Sequence, residues 1–476
     1  MAENQPSIKP LKKVQSPSKE QFSSDVLSVT AHRFAHSFLL SIIGTILGFT
    51  AFGGMFLDVY QNLSPSEPVS GEVTLLTIGP EALHLWDSEN PNPDVTPRAM
   101  LAELISILET AGARTIVLDV LLTSSQDGDD LLAQAIKNHG TVVTAEQFVV
   151  NQPRTSKQYI AGTTPQIADV VGVGHANLYF TEPILFTGEM IFRGVHLVHF
   201  GQRSSIKGTW PNTVLNGGVF ETISPSLSLA GAWLHQARGH DPNITYAHLL
   251  TILKENCQIE QSILHCDQQN FPHLKGLRQD WSEAFWLHHF GSERNDQINY
   301  VPASRLLMLS AEKALMRSFN IPEEQLPPTA IPEDLKEKLQ DKLVVIGRVD
   351  RMTAQDADRY PTTYSFPVFS KRDMAGVRIQ AHLMEALISG RSLYFLPDWI
   401  SILLALIVMY GTWNLFHKVS IVHHLWMWLL SSIVLVLFGL LVFRIFDGVV
   451  LDLSLPITMS ILTLIAMNMW FQFKNQ

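Results

Sequence analysis

Four long apolar runs punctuate the sequence, and they are unevenly placed. "SFLLSIIGTILGFTAFGGMFL", residues 37–57, stands alone near the N-terminus, while residues 399–416, 425–443 and 449–471 crowd the C-terminus. Each is long enough, as a helix, to cross a hydrocarbon core about 30 Å thick. A long polar lead and the lack of a small-residue cleavage site predict that 37–57 is a retained anchor rather than a removed signal. Trp399, Trp426 and Trp470 stand near run ends, as an interfacial belt requires.

Residues 58–398 carry a different pattern. "GEVTLLTIG" (71–79) reads as a buried strand and is followed by a Pro- and Asn-rich loop. A helix is predicted from Thr96 as N-cap and Pro97 as first helical residue to a stop at Gly112. Leu101, Leu104, Ile105 and Leu108 form its buried stripe. The strand "TIVLDVLL", the helix "DDLLAQAIKNHG" and the strand "TVVTAEQFVV" follow. Strands alternating with helices predict a parallel sheet with crossovers. Residues 151–335 offer only short strand-like pieces ("GHANLYF", "MIFRGVHLVHF"), a helical stretch at "SLSLAGAWLHQARGH" and a polar insertion. Regularity returns with the strand "DKLVVIGRVD" (341–350) and the helix "DMAGVRIQAHLMEALISGRSL". The expected fold is an α/β extracytoplasmic domain, a parallel-rich sheet with flanking helices, joined to an α-helical membrane bundle of four transmembrane helices.

Lysine and arginine near the spans set the orientation. Lys9, Lys12, Lys13, Lys19 and Arg33 keep residues 1–36 in the cytoplasm as a disordered tail, so 58–398 lie outside. Lys418 then falls in a cytoplasmic loop, and residues 472–476 return to the cytoplasm, placing both termini inside. Arg444 runs against the rule, with Asp447 close enough in sequence to pair with it. Asp452 lies near the start of the fourth run. An intramembrane carboxylate marks function by default; reaching headgroup water is the competing reading.

Composition agrees with this division. Of the 476 residues, 46% are hydrophobic and 16% charged, which suits a membrane protein, and the net charge of −10 excludes a broad nucleic-acid surface. The only cysteines, Cys257 and Cys266, allow a short-loop disulfide or two free thiols.

Ligands of parallel sheets collect at the carboxyl ends of the strands. Asp119 stands near one such end, and Asp350 beyond another. Arg98 opens a helix where backbone N–H groups favour anions, although a cation there opposes the macrodipole and points to a salt bridge or anion contact. Asp356 and Asp358 follow the strand at 341–350, and His175, Asn177 and Arg193 approach from the middle segment. These eight residues form the candidate ligand site. Asp127 and Asp129 read as turn and N-cap residues. Among eighteen histidines, "HLVH" (His196, His199) lies in a strand pattern that sends the rings to opposite faces, and no metal motif is present, so no metal and no cofactor are expected. No nucleophile elbow, phosphate loop or paired-carboxylate motif occurs, and no enzyme is expected. "GVGHAN" has suggestive glycine spacing but does not open a helix.

The ordered pieces resemble the extracellular CHASE domain family of type two (CHASE2), found in bacterial receptors. The resemblance is carried by "LLTIG", "NPNPDVTPRAMLAELISILETAGARTIVLDVLL", "VGVGHAN" with "FRGV", "PSLSLA", "LHHFGSE" with "VPASRLL", "KLVVIGRVDRMTAQDADRYPTT" and "MAGVRIQAHLMEALISGRSL". It covers roughly residues 60–400. "LHHFGSE" lacks the family's asparagine and arginine, and "DADRYPTT" lacks its Thr-Pro, which weakens transfer of ligand chemistry. In relatives a cytoplasmic effector follows the last span; here "FQFKNQ" follows Trp470. The resemblance implies an inner-membrane sensory subunit whose periplasmic domain binds a small ligand or envelope protein and signals through a separate protein partner, with homo-oligomers open. A structural subunit of a cell-envelope complex is the alternative.

Overall fold

The computed structural model describes residues 60–61, 69–86, 95–150, 158–161, 167, 172–176, 180–183, 190–204, 219–260, 263–266, 273–274, 284–286, 297–318, 331–349, 359–360, 374–391, 393–416, 421–446, 449–451 and 453–475. The chain forms two compact units, one of Gly54–Leu396 with Leu437–Asp452, the other of Met1–Gly53, Pro397–Val436 and Leu453–Gln476.

The larger unit is built on strands β1 (Val73–Ile78), β2 (Thr115–Leu121), β3 (Val142–Val150), β4 (Gln158–Ala161), β5 (Gly172–His175), β6 (Phe180–Pro183), β7 (Met190–His196), β8 (Val198–Ser204), β9 (Val219–Pro225), β10 (Cys257–Glu260), β11 (Ile263–Cys266), β12 (Ala284–Trp286), β13 (Asn299–Pro302) and β14 (Leu343–Arg348). Its helices are α1 (Pro80–Trp86), α2 (Arg98–Thr110), α3 (Asp129–His139), α4 (Leu227–His240), α5 (Tyr246–Asn256), α6 (Ala303–Ser318), α7 (Glu333–Leu339) and α8 (Gly376–Ser389). The parallel core runs β13-β1-β14-β2-β3-β5. At its far side the second half of β3 pairs antiparallel with β4, and the sheet continues through β8 to β9. β6, β7 and β12 form a separate small sheet, and β10 and β11 a hairpin.

The period of two along the strands explains the layers. Val73, Leu75, Val117, Leu343 and Val345 pack against Leu229 and Trp233 of α4 and Met384 and Leu387 of α8. Their alternates Leu76, Ile116, Leu118, Val344 and Ile346 pack on the opposite face against α2, α3, α6 and α7. With both faces covered, strand runs such as "VTLLTI" are buried at every residue. The predicted stripe Leu101, Leu104, Ile105 and Leu108 lies in this second layer. The start of α2 differs by one residue from expectation: Pro97 is its N-cap and no side chain caps it. Gly112, at φ +77°, turns the chain out of the helix in the left-handed conformation that glycine adopts freely.

Cys257 is disulfide-bonded and no cysteine is free. Its partner is the chain's other cysteine, Cys266, which stands directly opposite it in the β10–β11 ladder.

The C-terminal part forms α9 (Asp398–Phe416), α10 (Ile421–Ile445) and α11 (Ser454–Asn475). Among the described residues one stretch, Trp426–Ile445, is long and apolar enough to cross a membrane; the apolar stretches Trp399–Leu415 and Leu455–Met467 are shorter. The run 37–57 and Asp452 lie outside the described residues. α9 and α11 meet through Ala405, Met409, Leu455 and Met459, and Trp428 Nε1 donates to Ser460 Oγ at 2.9 Å. α11 begins at Ser454 rather than Val449, because Val449–Val450 pair in parallel with Tyr394–Phe395 instead of entering the helix.

Candidate functional site

The sheet has two edges that carry polar side chains. β1, β2, β3, β5 and β14 end at the carboxyl edge, where α4 and α8 begin. β1 begins and α8 ends at the amino edge, so the chain enters and leaves the domain there.

At the carboxyl edge, β2 departs from regular pairing with β3 between Leu118 and Leu121. Such irregularities re-aim side chains at sheet rims. Asp119 sits in this break, half-buried, opposite Gly347 of β14. Gly347 admits close neighbours: a Cβ there would meet Val377 Cγ2 at 2.5 Å and Asp119 Cβ at 3.4 Å.

The same edge carries a buried polar network. Glu146 of β3 is fully buried and stands opposite His175, also fully buried, at the end of β5. The Ser224 hydroxyl donates to Glu146. The Ala176 amide donates to the Glu146 carbonyl at 2.8 Å, and Gln380 of α8 donates through Nε2 to the Ala176 carbonyl at 3.2 Å. The Ser228 hydroxyl donates to the Gln380 amide oxygen. Ser226 caps α4, its Oγ accepting from the Leu229 amide at 3.1 Å. β3, β5, β9, α4 and α8 are thus joined by buried hydrogen bonds, which fix their relative positions more firmly than apolar packing alone. The glycines of "GVGHAN" serve close approach: a Cβ on Gly174 would meet Leu227 Cα at 2.6 Å, and one on Gly172 the Tyr246 ring at 2.8 Å.

Arg98 is 1% exposed and does not open toward this network. Its Nε donates to Asp129 Oδ1 at 3.1 Å and Nη2 to the Ser124 carbonyl at 3.3 Å. Asp129 Oδ2 accepts from the Gln126 amide at 3.1 Å. Asp129 is therefore a buried counter-ion inside the first turn of α3, whose N-cap is Gly128 at φ +92°, and not the N-cap itself. Burial lowers the Arg98 pKa, and the Asp129 charge opposes that shift. The pair ties α2 to the loop after β2.

Arg193 lies on β7 in the small sheet, away from the parallel core strands in connectivity. Asn177, Asp350, Asp356 and Asp358 lie outside the described residues. Of the eight expected ligand residues, then, Arg98, Asp119 and His175 are placed near the carboxyl edge, and only His175 stands beside the polar network.

The amino edge carries a second set that the sequence reading missed. Glu72, just before β1, accepts from His235 Nε2 at 3.1 Å and Gln236 Nε2 at 2.9 Å. That imidazole holds the Glu72 carboxyl below its ordinary range, while burial pushes the His235 pKa down. Arg114 makes a two-pronged pair with Asp341, at 2.7 and 2.5 Å, and reaches the His235 carbonyl at 3.5 Å. Glu385 of α8 is buried and accepts from the Ser70 amide and, at 2.9 Å, from the Ser70 hydroxyl. Burial raises its pKa against those donors. The available signal was polar residues set within apolar runs: Glu146 in "VVTAEQFVV", and Gln380 and Glu385 in the helix after "AGV".

The family model of the CHASE2 domain matches residues 36–415. No curated protein and no solved structure matches the chain.

Proposed function

The chain belongs to the CHASE2 domain family of extracellular sensory domains, and from that premise we propose that it is a membrane-anchored sensory subunit. The domain lies outside the inner membrane, takes a small ligand or an envelope protein at the carboxyl edge, performs no catalysis, and signals through a separate protein. The observation that carries this reading is the path of α8. Gln380, near its start, is bonded into the Glu146 network at the carboxyl edge, and Glu385, further along the same helix, grips Ser70 where the chain enters the domain. A rigid helix bonded at both edges converts a displacement of β5 or α4 into a displacement of the segments leading out of the domain. Signalling by this route needs two states with different ligand contacts.

The disulfide supports an external location, because such bonds persist in oxidising compartments. Trp426–Ile445 supports membrane attachment, and the apolar runs at 37–57, 399–416 and 449–471 extend that reading to four spans with both termini inside.

A second reading, a docking platform in an envelope complex, is favoured by one observation: Leu85, Trp86, Tyr300 and Met308 are large apolar side chains exposed on α1, β13 and α6. Mild purification of the full chain from its native membrane, with mass spectrometry of co-purifying proteins, separates the two. A kinase, cyclase or other output protein in stoichiometric amount supports the sensor. Only further copies of the chain or structural envelope proteins would sink it and establish the platform.

A further inference from the structure

The chain enters the sheet over a pivot. The Glu72 carbonyl accepts from the Leu343 amide at 2.9 Å, which fixes residue 72 in the sheet. Gly71 before it has φ +74°, a conformation that glycine adopts freely, and a Cβ added there would meet nothing within 4 Å. Beyond this pivot Val69 is only partly buried and Ser70 is exposed. Ser70 is held by α8: its amide and its hydroxyl both donate to the Glu385 carboxyl, which is fully buried one turn before the helix ends.

We propose that Glu385 is the proton-binding group of a latch between the entry and exit of the larger unit, closed when its carboxyl is neutral and loosened when it ionises. A neutral carboxyl keeps both contacts: one oxygen accepts from the Ser70 amide, and the other, as O–H, donates to Ser70 Oγ. An ionised carboxyl accepts both but holds a full charge away from water, a cost that two donors from one residue offset only in part. Once it ionises, water reaches the carboxylate most cheaply by release of Ser70 about Gly71.

The charges around the latch bear on this balance. From the entry segment Glu72 opposes ionisation, and beyond α8 Arg391 favours it. On α4, His235 and Gln236 hold the Glu72 carboxylate in place. Arg114, paired with Asp341, adds positive charge near Glu72, Lys342 precedes β14, and Arg238 and His240 lie further along α4. β1 and the short strand Met374–Ala375 carry no charge, and β14 carries only Arg348 at its far end. On α8 itself His382 is buried one turn earlier, and Arg378 lies near the opposite end. Burial is the largest influence and raises the Glu385 pKa above the ordinary 4.5, against the Ser70 donors. Closure is therefore complete below 4.5 and is lost as pH rises through the latched value. His235 has the opposite sign, so the readout must be local to Ser70. That the latch meets external pH rests on the sensory reading; the latch itself does not, because it can be tested whichever compartment holds the domain.

The test is hydrogen exchange of the full-length chain in nanodiscs, followed by mass spectrometry of peptides covering Ser70 from about pH 5 to about pH 9, with each rate divided by its intrinsic rate. Opening at Ser70 should increase at least about tenfold across this range, and by no more than about tenfold per pH unit. Glu385→Gln offers one acceptor and one donor, as the neutral acid does, and should change less than about twofold. Glu72→Gln, at a side chain 41% exposed, removes the opposing charge and should move the midpoint to lower pH. If Glu385→Gln does not fold, this shift decides the matter. Constant corrected exchange in the native chain, a pH dependence that survives in Glu385→Gln, or a midpoint unmoved by Glu72→Gln overturns the proposal.

Discussion

At the scale of single residues, charges inside the larger unit are structural first. Arg98 and Asp129 illustrate the asymmetry of buried pairs: removing one partner strands the other charge away from water. Arg98→Ala should therefore cost about 3–5 kcal/mol, while Arg98→Met with Asp129→Leu should be near neutral or stabilising. Denaturation midpoints of the three proteins check both statements. The amino edge gives a pH prediction. His235 has a folded pKa below its ordinary 6.5, so its neutral form is favoured by folding; that contribution is present above pH 6.5 and is lost as pH falls. His139, also depressed by burial, adds to it. Glu72, depressed below 4.5, contributes above that value and loses its contribution lower still. Glu385 has the opposite sign: its raised pKa favours the protonated form, and that contribution is lost as pH rises. Thermal stability should begin to weaken on acidification below 6.5 rather than 4.5, and His235→Asn should flatten that slope. Glu385→Gln should stabilise at pH 8 more than at pH 4; equal effects at both would refute the assignment of a buried, costly carboxylate.

At the scale of elements, close approach sets what substitutions are tolerated. Gly174 lets the start of α4 press against β5, and an added Cβ would strike the Leu227 backbone at 2.6 Å rather than a yielding side-chain end. Gly174→Ala should cost about 1–3 kcal/mol, the usual price of overpacking. Gly79, with nothing within 4 Å, is the matched control and should change by less than about 0.5 kcal/mol when replaced by alanine. The contrast also shows why parts of this fold were legible in the sequence. α2 could be read because its period, its apolar stripe and its terminal glycine all lie within fifteen consecutive positions, and β1, β2 and β14 because strands buried on both faces leave continuous apolar runs. The middle was harder: "GHANLYF" holds the end of β5 and the first residue of β6, and "MIFRGVHLVHF" is β7 and β8 broken at Leu197, assigned to different sheets by partners far along the chain. The polar network was invisible for the same reason. Glu146 meets Ser224, and Ser228 meets Gln380, across 78 and 152 positions, so no local spacing records them. Arg98 was read correctly as electrostatically anomalous at a helix start, but the anion that answers it is Asp129, a residue that reads locally as a cap.

At the scale of the whole molecule, the location of the domain and the state of its cysteines must agree. A disulfide between Cys257 and Cys266 persists outside the cytoplasm and is reduced within it. The tail bearing Lys9, Lys12, Lys13, Lys19 and Arg33 argues independently for the same orientation through charge alone. Because both native cysteines are bonded to each other, an introduced cysteine is the only free thiol in the chain, and its reactivity reports its compartment cleanly. Lys137, exposed near the end of α3, marks the domain, and Lys418 marks the connection between α9 and α10. In intact spheroplasts a membrane-impermeant maleimide should label Lys137→Cys fully and Lys418→Cys only after lysis. Labelling of both without lysis would mean that α9 does not cross, leaving the apolar runs as a surface-attached bundle. The reverse pattern would put the domain in a reducing compartment, and the native cysteines should then also react. That second result would end the sensory reading at its first step, since a domain facing the cytoplasm has no external ligand to report.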